Sequence, residues 1–297
     1  MLNWTPSMQD SIMPTDRTIA VLSGKGGTGK TLVSVNLAAV ADQATYIDCD
    51  VEEPNGHLFL KPSSVSEQVI TVGKPEVDQK LCDGCRICSK ACAFNALAVI
   101  GKQLLIFEEI CHSCGLCMSL CPQHALKEVQ KPLGVVRKGR SGSVSFLSAE
   151  MRIGESSAVP LIKALMREKQ TGLTILDSPP GSGCLVTETI SHADFCLLVA
   201  EPTKFGSHNL AMVHELVMLM DKPCAVLLNK TQDGENPSEA YAKTHNVRIL
   251  GSLPYDKELA HLTSEALVAS RENEHYRSYF SSLLQEVKDA SDSYPQR

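Results

Sequence analysis

Residues 23–31 read SGKGGTGKT, directly after the apolar run TIAVL (Thr18–Leu22) and at the start of the helix-like stretch Thr31–Ala41. No other stretch restricts the fold so tightly. A short apolar strand that ends in a glycine loop and reopens as a helix belongs in a sheet covered on both faces. From Gly24 to Thr31 the spacing Gly-x-x-x-x-Gly-Lys-Ser/Thr is complete. Such a loop holds phosphate because successive backbone N–H groups turn inward at the positive end of the following helix. Gly24, Gly26, Gly27, Thr28 and Gly29 form the cradle, Lys30 reaches the β- and γ-phosphates, and the Thr31 hydroxyl is a ligand for Mg²⁺. A second lysine, Lys25, stands inside the loop, where this chemistry requires only one.

Further buried-strand candidates are Ala44–Asp48, Leu173–Leu176, Phe195–Val199, Cys224–Leu228 and Arg248–Leu250. Helix-like stretches such as Ala158–Glu168 and Ser207–Met220 lie between them. Apolar strands alternating with helices predict an α/β fold with a mostly parallel, doubly wound sheet. An apolar fraction of 43% with only 5% aromatics suits an aliphatic core of that kind. Asp50 follows the strand Ala44–Asp48 and is placed to orient an attacking water. Asp177 ends the run LTIL, where a carboxylate holds Mg²⁺ through water. DSPPGSG (177–183) is then a loop able to sense the γ-phosphate by ordering or disordering. Asn229 and Lys230, just past the strand CAVLL, are candidates for reading the base edge.

The alternation breaks between about Leu60 and Lys131. KPSSVSEQVITVGKPEVDQ (61–79) is polar and punctuated by proline, and KPLGVVRKGRSGS (131–143) reads as a second loop-rich boundary. Between them, Cys82–Leu97 and Cys111–Leu126 repeat four cysteines and a closing Ala-Leu at an offset of 29 residues. Each half has the spacing C-x2-C-x2-C-x3-C, the pattern of bacterial two-cluster ferredoxins, in which the fourth cysteine of a run ligates the other cluster. One [4Fe–4S] cluster is therefore assigned to Cys82, Cys85, Cys88 and Cys121, and the other to Cys111, Cys114, Cys117 and Cys92. Pro122 follows the last cysteine of the second run whereas Ala93 follows that of the first, a departure at a turn and not at a ligand. Zinc favours two CxxC pairs and closed tetrahedral sites, which fits this doubled spacing less well. The clusters either carry electrons or brace a domain with little core.

Twelve cysteines in a chain of this length, eight of them in two clusters, point to metal chemistry and not to disulfides. A net charge of −6 argues against a nucleic-acid partner, and the one dense basic stretch, RKGR at 137–140, is short. No apolar run approaches the roughly 18 residues of a membrane-spanning helix. The first residues lack the basic and apolar regions of a secretion signal, so a cytoplasmic protein is expected. Residues 1–17 and 291–297 read as tails, 18–60 with 132–290 as a discontinuous nucleotide-binding domain, and 61–131 as an inserted ferredoxin-like α+β domain. Glu274–Val287 is amphipathic with acidic residues on its polar face, which predicts packing on the core and not on a membrane surface.

KGGTGKT, IDCD, DSPPG and the Asn-Lys pair, with MRIGESSAVPLIKAL, DSPPGSGC and EPTKFGSHNL, resemble the MinD/ParA/Mrp superfamily of deviant-Walker-A P-loop ATPases. More narrowly, the chain is similar to MinD-like ATPases with an inserted two-[4Fe–4S] ferredoxin domain. The resemblance runs from Thr18 to about Lys288. It implies binding of ATP or ADP with Mg²⁺, and dimerisation around ATP with itself or with a paralogue. It also implies that Lys25 reaches across the dimer to the partner's phosphates, a cation in trans comparable to an arginine finger. The function implied is ATP-driven dimer closure coupled to the clusters, serving gated electron transfer to a client protein or maturation of its metallocluster. A nucleotide-switched positioning protein of the cell-division or partition type, with structural or sensory clusters, is the alternative, and a carrier of transferable clusters is a third. Cys184, in the switch loop, lies where the related nitrogenase iron protein bridges a cluster between subunits. That bridge takes two cysteines per subunit and no second one is evident, so bridging, switching and simple packing stay open. Cys49, Cys196 and Cys224 read as core.

Overall fold

Arg17–Leu22 form β1, every residue of which is buried. The strand is flanked by parallel neighbours on both sides in a nine-stranded sheet. The computed structural model describes residues 16–294. After β1 come α1 (Lys30–Val40), β2 (Ala44–Asp48) and α2 (Gly56–Leu60). A long strand, β3 (Ser63–Val77), leads out to α3 (Ile87–Ala91), β4 (Leu97–Ile100), β5 (Gln103–Ile106), a 3-10 turn at Glu108–Ile110 and α4 (Leu116–Ser119). β6 (Leu126–Ser141) leads back to β7 (Val144–Met151). Helices and strands then alternate through α5 (Val159–Arg167), β8 (Leu173–Asp177), α6 (Cys184–Ser191), β9 (Phe195–Ala200), α7 (Lys204–Leu219) and β10 (Cys224–Thr231). The chain closes with α8 (Pro237–Thr244), β11 (Ile249–Pro254), α9 (Lys257–Ser264), α10 (Ala269–Glu272) and α11 (Glu274–Asp292).

The strand order is β11-β10-β9-β1-β8-β2-β7-β6-β3. Neighbours are parallel from β11 to β7, and β6 and β3 then add an antiparallel ribbon at one edge. One face buries α1 and the apolar stripe of α11 (Tyr276, Phe280, Leu283, Leu284, Val287) in a core with Tyr46 and Phe146. The other face buries Leu161, Ile190, Leu210 and Val213 of α5, α6 and α7. This is the mostly parallel α/β sheet, covered on both sides, that the apolar runs predicted.

The boundaries of the insert differ from expectation. The polar stretch 61–79 and the loop-rich boundary 131–143 fall instead largely within two paired strands, at 63–77 and 126–141. β3 is exposed over most of its length, and an edge strand that is hydrogen-bonded on one side and solvated on the other needs no apolar stripe. The ladder slips between Ser63 and Ser66 and between Ile70 and Thr71, which further weakens any period in its sequence. At the C-terminus the expected tail at 291 begins two residues too early: α11 runs to Asp292, whose carboxylate pairs with Arg17, and Arg17 also donates to the Lys288 carbonyl at 3.2 Å. The expected N-terminal tail lies outside the described residues as far as position 15, and its last residue, Arg17, already belongs to β1.

Candidate nucleotide site and cysteine cavities

Loops that leave the carboxyl ends of adjacent parallel strands converge in one crevice, and here they follow β1, β2 and β8. The register places Asp48 beside Asp177 and Val21 beside Asp177. Between β1 and α1 the glycine loop turns tightly enough to need special residues. Gly29, the cap of α1, has φ 100°, and a Cβ there would fall 2.2 Å from the Asn229 amide. Gly24 presses on α7, with a Cβ position 2.3 Å from the Asn209 carbonyl. Gly26 and Gly27 are exposed. The Ser23 and Thr28 hydroxyls both donate to the Lys25 carbonyl, at 2.7 and 3.1 Å, and fix the loop from within.

Lys30 is buried at the first turn of α1. Burial lowers its pKa, while Asp177, Asp50 and Asp48 pull it back up. Asp177 is buried, and its Oδ2 accepts from Tyr46 at 2.8 Å. Its other oxygen, Oδ1, is buried without a hydrogen-bond partner. Burial raises the Asp177 pKa against the nearby Thr31 hydroxyl and Lys30. An orphaned carboxylate oxygen beside Thr31 and Lys30 is a fit for a hydrated Mg²⁺. Asp50 is half-buried and pushed up to about 6, by burial first and by Asp177, against the opposing pull of Lys30. Asp48, which sequence reasoning passed over, is buried and accepts from the backbone N–H groups of Asp50, Asn55 and Gly56 at 3.1, 3.0 and 2.8 Å. It therefore shapes the turn that presents Asp50. The loop after Asp177 is tied to the same strand, with Gly181 N–H donating to the Ser23 carbonyl at 3.1 Å. Cys184 opens α6 and is exposed, so the simple packing role falls away, whereas Cys49, Cys196 and Cys224 are buried.

Three expected residues stand in unexpected company. Asn229 donates from its amide to the Thr28 carbonyl at 2.7 Å, which braces the loop, and its oxygen accepts from Lys230 N–H within β10 at 2.9 Å. Lys230 donates to the Gly27 carbonyl at 2.7 Å and to Glu201 at 2.8 Å. Lys25 binds the other oxygen of Glu201 at 2.6 Å and lies over the Phe205 ring, 5.4 Å from its centroid. Burial opposes ionisation of Glu201, but Lys230 and Lys25 outweigh it and hold its pKa below the ordinary value. Glu201 belonged to no expected site; its signals were its place just after a buried strand and at the head of the stretch EPTKFGSHNL.

Residues 19–268 match the sequence profile of the CobQ/CobB/MinD/ParA nucleotide binding domain, a span that includes the glycine loop, Asp50 and Asp177. The chain belongs to this family. An uncharacterised protein of Methanocaldococcus jannaschii is 29% identical over 279 residues, 91% of this chain and 96% of its own. Among solved structures, the cell-division ATPase MinD of Pyrococcus furiosus has a TM-score of 0.59 at 17% identity, covering 93% of this chain and 99% of that one. MinD of Pyrococcus horikoshii, solved with Mg-ADP, has a TM-score of 0.56 at 18% identity, covering 91% and 95%. At such identities the structures share the fold. Membership of the MinD/ParA type makes this a nucleotide-binding chain of a P-loop ATPase family.

The MinD/ParA-type sheet carries the cysteine segment between β3 and β6, and its two halves match at the 29-residue offset of the sequence repeat. Leu97 pairs with Ile106 through Ile100 with Gln103, and Val77 with Leu126 through Lys74 with Val129, so the ribbons correspond position for position. Left-handed residues recur as well: Gly84, Arg86 and Asn95 in one half, Ser113, Gly115 and His124 in the other. Ala96 N–H donates to Cys92 Sγ at 3.4 Å, and its counterpart Ala125 N–H to Cys121 Sγ at 3.3 Å. Cys82, Cys85, Cys88 and Cys121 line one cavity of about 350 Å³, counting its open mouth. Cys92, Cys111, Cys114 and Cys117 line another of about 370 Å³. Among the described residues, no three His, Cys, Asp or Glu side chains are arranged to hold a single metal ion, so the quartets ring cavities and do not close on a point. The halves differ in their dressing: Asp83 accepts from Gln123 at 3.1 Å at the first cavity, and the matching positions at the second are His112 and Phe94, stacked 3.7 Å apart. Among the described residues no helix is long and apolar enough to cross a membrane.

Proposed function

We propose that this chain is a Mg-dependent ATPase that closes as a dimer around ATP and couples closure to two [4Fe–4S] clusters in an inserted ferredoxin-like domain (61–131). The nucleotide-binding domain is then made of 18–60 and 132–290. The observation that carries the reading is the pair of cavities. Each is lined by three cysteines of one run and the fourth of the other, the crossed set that two-cluster ligation requires. Thiolates with backbone N–H donors at Cys92 and Cys121 are suited to hold cubane iron. Such clusters supply one-electron storage and transfer, and Mg²⁺ supplies charge neutralisation on the phosphates.

The chain's own residues have these roles. Amides of Gly24, Gly26, Gly27, Thr28 and Gly29 cradle the phosphates, and Lys30 meets the β- and γ-oxygens. Thr31 and, through water, the free oxygen of Asp177 hold Mg²⁺. Asp50 positions the attacking water. Lys25 leaves Glu201 to reach the partner's phosphates when the dimer closes. Asn229 and Lys230 brace the loop, and reading a base edge requires them to give up those bonds. The client is a redox or metallocluster protein in the cytoplasm, and the dimer is formed with a second copy or a paralogue.

The likeness to the Pyrococcus furiosus cell-division ATPase favours a second reading, a nucleotide-switched positioning protein in which the clusters are structural or sensory. One comparison separates the two: the reduction potential and the rate of client reduction with ATP, with ADP, and in Lys30→Ala. Dependence on ATP that vanishes in Lys30→Ala supports the coupled ATPase. Equal values in all three would leave the positioning reading. Clusters lost readily to an apo-acceptor would instead support a cluster carrier.

A further inference from the structure

The two halves of the cysteine segment are equivalent in backbone but not in attachment. Among the described residues, three side-chain hydrogen bonds and ion pairs join residues 78–125 to the rest of the chain, and all end on one half, while Val77 and Leu126 add apolar packing. Lys74 Nζ donates to the Glu108 carbonyl at 2.6 Å, Lys131 pairs with the Glu108 carboxylate at 3.4 Å, and Ser156 Oγ donates to the Cys111 carbonyl at 3.1 Å. Lys74 is bound from the other side by Glu155 at 2.6 Å, and its side chain is only 3% exposed. The 29-residue offset identifies what the other half has instead. Gln103, the counterpart of Lys74, is exposed, and Gln79, the counterpart of Glu108, bonds within the segment, to the backbone of Leu104.

Glu155 and Ser156 lie just beyond the end of β7, on the edge of the sheet where the nucleotide crevice opens. β7 itself is tied to that crevice. Met151, its last residue, donates to the Val51 carbonyl at 2.8 Å, and Val51 is buried and follows Asp50 directly. The Asp50 turn is therefore tied to Met151 by one hydrogen bond, four residues before the ion pair of buried Lys74 with half-buried Glu155. Such a pair resists being broken, because the buried Lys74 ammonium would be left uncompensated.

We propose that Lys74, Glu155 and Ser156 are positioning residues that clamp the Cys111–Cys117 half to the Asp50 turn, so that nucleotide binding moves that half and leaves the Cys82–Cys88 half in place. The inference rests on the reading of Asp50 as a nucleotide-facing group, and it holds with or without metal in the cavities. It assigns different duties to two cavities that the repeat makes look alike: one answers to nucleotide and the other does not.

Amide hydrogen exchange on the full chain, with and without Mg²⁺ and a non-hydrolysable ATP analogue, tests it. The expected result is a nucleotide-dependent change of about threefold or more in exchange at 108–117 and little at 79–88. Glu155→Gln and Ser156→Ala should each abolish that selectivity while the analogue binds with unaltered affinity, and Ser156→Thr, which keeps the hydroxyl, should restore it. Equal responses in both halves, no response, or selectivity that survives both substitutions would overturn the clamp. Iron and sulfide measured on the same samples report separately on the cluster reading. Iron-free protein with the selective response sinks the clusters and keeps the clamp; iron-loaded protein without it does the reverse.

Discussion

At Asp50 three influences compete: burial and Asp177 raise its pKa, Lys30 lowers it, and the outcome is about 6. A carboxylate that positions water must be ionised, so kcat/KM for ATP is expected to fall as the pH drops through about 6, and Asp50→Asn should lose both the rate and this limb of the profile. A flat profile from pH 5 to 7 would contradict the role. The same shift acts on stability. Folded Asp50 binds its proton more tightly than the unfolded residue, whose ordinary value is 3.8. The stability it contributes is full below that value and is lost as the pH rises through about 6. At pH 7 Asp50→Asn should therefore raise the Tm of the nucleotide-free protein, by about 2–4 °C if the gain is on the order of 1 kcal/mol. Tyr46→Phe should act in the opposite sense, because Asp177 would then have two unpartnered buried oxygens; a loss of about 1–3 kcal/mol in chemical denaturation is expected. Lys30, Thr31, Asp50 and Asp177 were legible in the sequence because each sits beside its own strand or loop signature. Asp48 under the Asp50 turn, Tyr46 on Asp177 and Glu201 on Lys25 were not. Their partners are brought together by strand order, which no local spacing encodes.

Elements repeat the lesson at larger scale. α11 was legible because its six apolar positions keep a helical period and meet one core. β3 and most of β6 read as polar, loop-rich sequence because an antiparallel ribbon at a sheet edge is stabilised by its ladder more than by an apolar face. The packing of β6 on β7 has a direct test at Gly134 in β6. A Cβ there would lie 2.3 Å from the Glu150 carbonyl of β7 and 2.9 Å from Leu161 of α5. Gly134→Ala should destabilise the protein by about 1–3 kcal/mol through overpacking, read as a lower denaturation midpoint with the slope unchanged. A neutral substitution would mean that β6 does not pack on β7 as closely as described. The cysteine repeat, by contrast, was visible in the sequence, and the structure gathers its eight cysteines into the two quartets that line the cavities.

For the whole molecule, the proposed dimer turns on the second loop lysine. In the single chain Lys25 is held by Glu201, and the proposed action in trans requires it to exchange that partner for phosphate. Lys25→Ala is expected to keep nucleotide binding but lose ATP-dependent dimerisation, as read by light scattering on a sizing column; dimerisation at full strength would contradict action in trans. The central claim is that one chain joins a MinD/ParA-type nucleotide site to two crossed iron–sulfur cavities. It is tested most directly by EPR-monitored reductive titration of protein purified without oxygen, with and without Mg-ATP, with iron and sulfide analysed on the same sample. The account predicts about eight irons and eight sulfides per chain, two interacting reduced signals, and a nucleotide-dependent shift that Lys30→Ala removes. Zinc in place of iron, or clusters whose potentials ignore ATP, would contradict it.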